Sequence, residues 1–130
     1  MDPSRPAPSV PGPSLDEAAL ARLRDLDPDG RHGVVARVLG AYESSLLRQI
    51  EQLRLHAAAP ETPARTQAVA TLAHTMKSAS ASVGALALAR NCESLERRLR
   101  DGATAQTHDV VELISLSELA LEAARAILRG

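Results

Sequence analysis

The sequence predicts an all-α fold: an antiparallel four-helix bundle with a short extra N-terminal helix. Apolar residues recur at i, i+3, i+4 and i+7 over four long stretches, the period of a helix with one buried face. Short breaker clusters separate these stretches: Asp27-Pro28-Asp29-Gly30, Pro60 with Pro63, Gly84, and Asp101-Gly102. The chain holds one Tyr and no Phe or Trp, so its core must be aliphatic, which suits packed helices better than a sheet. Long amphipathic helices joined by short connections lie antiparallel to their neighbours. At 130 residues the chain fits one domain, large enough to bury a core without disulfides.

Pro3, Pro6, Pro8, Pro11 and Pro13 give residues 1–13 the composition of an extended linker or tail, leaving 14–130 as the helical domain. Ser14 and Glu17 form a Ser-x-x-Glu capping box that starts the first helix, with Leu15, Ala19, Leu23 and Leu26 as its apolar stripe. The Asp27–Gly30 turn ends it. The second helix runs from about Gly33 to Ala58 on the period of Val35, Leu39, Tyr42, Leu46, Ile50 and Leu53. Pro60 and Pro63 break it, and Thr62 followed by Pro63 is a good N-cap and first position for the third helix. In that helix Val69, Leu72, Ala73, Met76, Ser80 and Val83 share one face, and Gly84 stops it. The fourth buries Leu88, Cys92, Leu95 and Leu99. The fifth runs from about Thr107 to the end with Val110, Ile114, Ser117, Leu121, Ala124 and Leu128 inward. The short first helix would cap one end of the bundle.

Composition narrows the function classes. The net charge of −1 and the absence of a basic stripe speak against nucleic acid, as does the lack of aromatic stacking platforms. Cys92 stands alone, so no internal disulfide can form, which favours a reducing, cytoplasmic setting. No apolar run approaches the roughly 18 residues needed to span a bilayer, and residues 1–14 lack the apolar centre of a signal peptide. No direct membrane contact is expected; within a longer chain, a membrane sensor kinase could tether the domain.

His74 stands three residues before Lys77, the only lysine in the chain. Residues three apart share a helical face. At about 100° per residue, His74 lies roughly 140° from the centre of the apolar face and points outward. Gln67, Ala70, Thr71, Lys77, Ser78 and Ala81 would surround it. Between Lys77 and Leu86 no residue is charged, and an exposed surface kept small and neutral suits close approach by another protein. Imidazole is a nucleophile near pH 7, since histidine ordinarily titrates at about 6.5. A phosphoryl group on the ring adds negative charge, which a compact ammonium can partly offset. Moving that group demands positioning and charge stabilisation more than covalent machinery. With no Walker-type phosphate loop, the chain is not expected to phosphorylate itself from ATP.

The block His74-Thr75-Met76-Lys77-Ser78-Ala79-Ser80-Ala81-Ser82-Val83-Gly84-Ala85 resembles the signature of histidine phosphotransfer (HPt) domains, His-x-x-Lys-Gly-Ser-Ser-Ala-x-x-Gly-Ala. Downstream, Leu88, Cys92, Leu95, Glu96 and Gly102 look like that family's next helix, and the resemblance covers about residues 15–130. It implies that His74 is the phosphoacceptor and Lys77 its charge partner. It also implies a four-helix bundle with an added N-terminal helix, response-regulator receiver domains and a sensor histidine kinase as partners, and a monomer. No cofactor is implied for the chain itself, and Mg2+ is expected in the partner receiver. Two positions depart from the pattern: Ser78 stands where Gly is usual, and Ala79 where Ser is usual. Both replacements are small and keep His74 accessible; Ser78 bears on partner fit or on the lifetime of the phosphohistidine.

The remaining residues carry simpler readings. Cys92 belongs to the core stripe. His32, His56 and His108 form no metal-ligand spacing, and His56 sits where a helix C-terminus favours a cation. Arg90, Arg97, Arg98 and Arg100 read as a solvated face that an acidic receiver surface could also use. Two other functions fit parts of the pattern. A non-phosphorylated helical binding module could dock or antagonise a receiver; phosphorylation by a receiver separates it from a carrier. The dimerisation domain of a histidine kinase usually has an acidic residue after its histidine and a proline soon after. Here Thr75 follows, no proline occurs after Pro63, and that reading would require a dimer.

Overall fold

The computed structural model describes residues 14–130, and in them five helices follow one another: α1 (Glu17–Asp25), α2 (Val34–Ala58), α3 (Pro63–Val83), α4 (Leu86–Arg100) and α5 (Thr107–Arg129). No strand occurs among the described residues. The Pro-rich stretch, residues 1–13, lies outside them. Among the described residues no helix is long and apolar enough to cross a membrane.

Local chemistry sets most of the helix ends. The Thr62 side chain accepts from the Arg65 amide at 3.1 Å, and Pro63 occupies the first turn, where its missing N–H costs nothing. The buried Asp27 carboxylate accepts from the amides of His32 and Val34, which ties the turn to the start of α2. At α5, the Gln106 side chain and the Asp109 carboxylate make reciprocal capping bonds. Gly84 ends α3 in the left-handed conformation, φ 85°, leaving room for an immediate reversal into α4.

These ends stack α2 to α5 as an antiparallel bundle. The most extensive contacts join α3 to α4 and α2 to α5, while α1 lies across α2 and α3. The exposed pair Arg54–Glu118 and the half-buried pair Arg125–Glu43 bridge α2 and α5 and show the opposed direction of the two helices. The core is aliphatic, with Leu39, Leu46, Leu53, Val69, Met76, Leu88, Leu95 and Leu113 fully buried. Two of its polar side chains pair within it: Tyr42 Oη and Ser80 Oγ lie 2.8 Å apart, and Ser117 donates to the Leu113 carbonyl. Arg65 is also buried. Its guanidinium donates to the His56, Ala59 and Ala105 carbonyls and to Thr107 Oγ1, so one cation ties the α2–α3 connection to the α4–α5 connection.

Three expectations change. The N-cap of α1 is Asp16, whose side chain accepts from the Ala19 amide, and Ser14 stays outside the helix. Leu20 rather than Leu26 then turns inward, and Leu26, beyond the last residue of α1, is 71% exposed. Leu128, in the final turn of α5, is exposed, and the adjacent Ile127 is the residue of that turn that packs against the core.

Cys92 sits fully buried on α4, as its stripe predicts, and burial pushes its thiol up to about 12. Only the thiolate reacts readily. Labelling with an alkylating thiol reagent at pH 8 should therefore be slow in the folded chain and fast in denaturant. Rapid labelling of the folded chain would show that α4 does not hold this register.

Candidate functional site

α3 presents His74 to solvent at the α3–α4 seam, with 61% of its side chain exposed. Its Nδ1 lies 2.7 Å from Oε2 of Glu96 on α4. Lys77 Nζ donates to the other oxygen, Oε1, at 3.1 Å. Arg100 Nε donates to Oε2 at 2.8 Å. One carboxylate, only 9% exposed, thus gathers an imidazole, an ammonium and a guanidinium.

The α3–α4 hairpin makes this arrangement possible. Lys77 is one turn beyond His74 on α3, and Arg100 is one turn beyond Glu96 on α4. Because the helices run in opposite directions, the two cations flank the carboxylate from opposite ends of the seam. Glu96 is ionised at neutral pH. The Lys77 hydrogen bond, aided by those from Arg100 and His74, outweighs its burial and holds its carboxyl at about 2, against an ordinary 4.5. The resulting stabilisation of the fold is present above about pH 4.5 and is lost as pH falls towards 2. An ionised carboxylate has no proton to donate, so Nδ1–H of His74 must be the donor in this contact. In the neutral ring, the lone pair is then on Nε2.

Around His74, Gln67, Thr71, Ser78 and Ala81 are exposed. Ala70 is not: it is 4% exposed and belongs to the core cluster, because the buried arc of α3 is wider than the stripe from Val69 to Val83 implies. The hydroxyls of this face bond back to their own helix, Thr71 to the Gln67 carbonyl, Thr75 to Thr71 and Ser82 to Ser78. They leave a low surface on which Lys77 is the charged neighbour of His74. On α4, Arg97 and Arg98 are exposed but paired, with Glu93 and with Asp109.

Sequence reasoning found His74 and Lys77 but gave Glu96 no chemical role and read Arg100 only as part of a basic face. A signal was present. Glu96 falls between Cys92, four residues before, and Leu99, three after, so a lone carboxylate occupies a buried stripe. A carboxylate there needs partners, and the facing helix carries His74 and Lys77.

Compared with models of protein families, the chain matches the Hpt domain over residues 37–127, a span that includes α3, α4 and all four residues of this cluster. No curated protein and no solved structure matches it.

Proposed function

Because the chain belongs to the Hpt domain family, the helical phosphotransfer modules of two-component signalling, we propose that it is a phosphorelay carrier in which His74 accepts a phosphoryl group from a receiver-domain aspartate and passes it to another receiver. The observation that carries this reading is the His74 ring itself: outward on α3, its Nδ1 held by Glu96, its other nitrogen without a partner among the described residues. Hpt domains carry no cofactor of their own; the Mg2+ of the reaction belongs to the receiver. A sensor histidine kinase stands upstream, and the carrier works as a cytoplasmic monomer.

Lys77 is the charge partner of the phosphoryl group. Its Nζ rests on Glu96 and is partly exposed, within reach of an anion carried by the neighbouring ring. Gln67, Thr71, Ser78 and Ala81 form the receiver-facing surface. Their small or self-bonded side chains let an aspartyl phosphate come within about 3–3.5 Å of the ring, the range that phosphoryl transfer requires.

Incubation with a panel of phosphorylated receiver domains tests this reading. At least one receiver should transfer its label, and the product should be acid-labile and alkali-stable, as expected for a phosphoramidate. A chain that binds receivers but takes label from none would be a docking module or antagonist instead.

A further inference from the structure

We infer that Ser78 grips the phosphoryl group once His74 carries it: its hydroxyl donates a hydrogen bond to a phosphoryl oxygen and so shifts the transfer equilibrium towards the carrier. This rests on the phosphocarrier reading above. The other polar side chains that α3 places around the ring are engaged. Thr71 and Thr75 donate to the carbonyls four residues before them, and Ser82 does the same. The Gln67 amide lies 3.5 Å from Thr71 Oγ1, and Lys77 Nζ donates to Glu96. Ser78 is different. It is exposed, one turn beyond His74, and among the described residues its Oγ has no hydrogen-bond partner. Its hydroxyl leaves aside the His74 carbonyl, the acceptor that Thr71, Thr75 and Ser82 each use in their own turns. Ser78 is also one of the two positions where the chain departs from the family signature, so this donor is the chain's own.

The helix puts this hydroxyl on the flank where the phosphoryl group arrives. At about 100° per residue, Lys77 lies roughly 60° to one side of His74 and Ser78 roughly 40° to the other. Lys77 is on the α4 side, since it reaches Glu96, so Ser78 is on the side away from α4. Nδ1 faces Glu96, which turns Nε2, the nitrogen with the lone pair, away from α4 as well. Residues four apart have Cβ atoms about 5–6 Å apart, and a helical side chain leans over the turn before its own Cα, so Ser78 leans towards the ring. Transfer forms the Nε2–P bond as the P–O bond of the aspartyl phosphate breaks, and the electron pair of that bond leaves on the receiver's carboxylate. The phosphoryl oxygens then stand between the Lys77 ammonium on one flank and the Ser78 hydroxyl on the other. Hydrogen bonds to a charged acceptor are the stronger kind, and the unphosphorylated chain gives Ser78 no such acceptor. An interaction made in one state only shifts the equilibrium towards that state, here the phosphohistidine.

Ser78→Ala removes the hydroxyl, keeps the surface small and suits a helix, so the chain should stay folded and bind receivers as before. With a labelled receiver, the equilibrium constant for label on the carrier should fall about three- to tenfold, the worth of one hydrogen bond made in water. A second measurement needs no receiver. Phosphoramidate loads the ring chemically, and phosphorus-31 NMR then follows the titration of the phosphoryl group, with His74→Gln identifying the signal by its absence. A donated hydrogen bond favours the dianion, so the titration midpoint should lie at higher pH in Ser78→Ala than in the wild type. A residue that only keeps the surface low would move neither quantity. If either the equilibrium constant or the midpoint is the same in Ser78→Ala as in the wild type, the assignment is overturned. Failure of every receiver to label the wild type would instead overturn the carrier reading, while the titration of the chemically loaded ring would still decide whether Ser78 holds the phosphoryl group.

Discussion

His74→Gln is expected to take no label from any receiver that labels the wild type, while melting within a few degrees of it. The loss should be complete, because no other described histidine has the setting of His74. His32 and His56 lie in or beside α2, and His108 is at the start of α5 beside Asp109; none of the three has both a carboxylate on one ring nitrogen and a neighbouring ammonium. The fold should tolerate the change for three reasons. The ring is mostly exposed, the Gln amide N–H can still donate to Glu96, and exposed helix positions usually alter stability by about 0.5 kcal/mol or less. Phosphotransfer followed by mass spectrometry under alkaline conditions, with thermal unfolding in parallel, reads both outcomes. Label persisting in His74→Gln would move the phosphoacceptor elsewhere in the chain.

Much of this architecture is legible in the sequence, and the exceptions share a cause. Helices α2 to α5 follow from local signals: sustained apolar periods, the Thr62-Pro63 start, the Gly84 and Asp101-Gly102 stops. Local signals fail where tertiary contact decides. Ser14 and Asp16 are both good N-caps, and Ser14 even has Glu17 three residues on. Asp16 wins as the chain docks there, its amide donating to the Gly84 carbonyl at 2.8 Å. Leu26 falls past the end of α1, and in the last turn of α5 it is Ile127 rather than Leu128 that packs against the core. Ala70 sits at the edge of the predicted stripe and is covered all the same. The site divides in the same way. His74 and Lys77 are three residues apart on the same helix, α3, and are visible without a fold. Glu96 joins them only because the turn at Gly84 folds α4 back along α3, and nothing in the local pattern states which residue then faces the ring.

Gly84→Ala should be the most destabilising single-methyl change in the described chain, costing about 2–5 kcal/mol. Two terms add. Gly84 has φ 85°, and a non-glycine residue in the left-handed region costs about 1–2 kcal/mol. A Cβ built there would also lie 2.6 Å from the Asp16 amide nitrogen, 2.9 Å from its carbonyl oxygen and 3.0 Å from its Cβ. Those are mostly backbone atoms and cannot swing aside, so the segment leading into α1 must move. Movement breaks the Asp16–Gly84 hydrogen bond and loosens Leu15, Ala19 and Leu20 from the core; overpacking of this kind adds about 1–3 kcal/mol. Gly102→Ala isolates the first term, because Gly102 has φ 107° but nothing within 4 Å of an added Cβ. It should lose about 1–2 kcal/mol by strain alone. Urea unfolding of the two variants gives the difference directly. At a temperature where Gly84→Ala remains folded, it should still take up label, since His74 lies ten residues back along α3, roughly 15 Å away. Equal losses in the two variants would show that α1 does not press on Gly84. A Gly84→Ala chain that is folded yet silent in transfer would mean instead that the hairpin turn, and not only the α3–α4 seam, shapes the site.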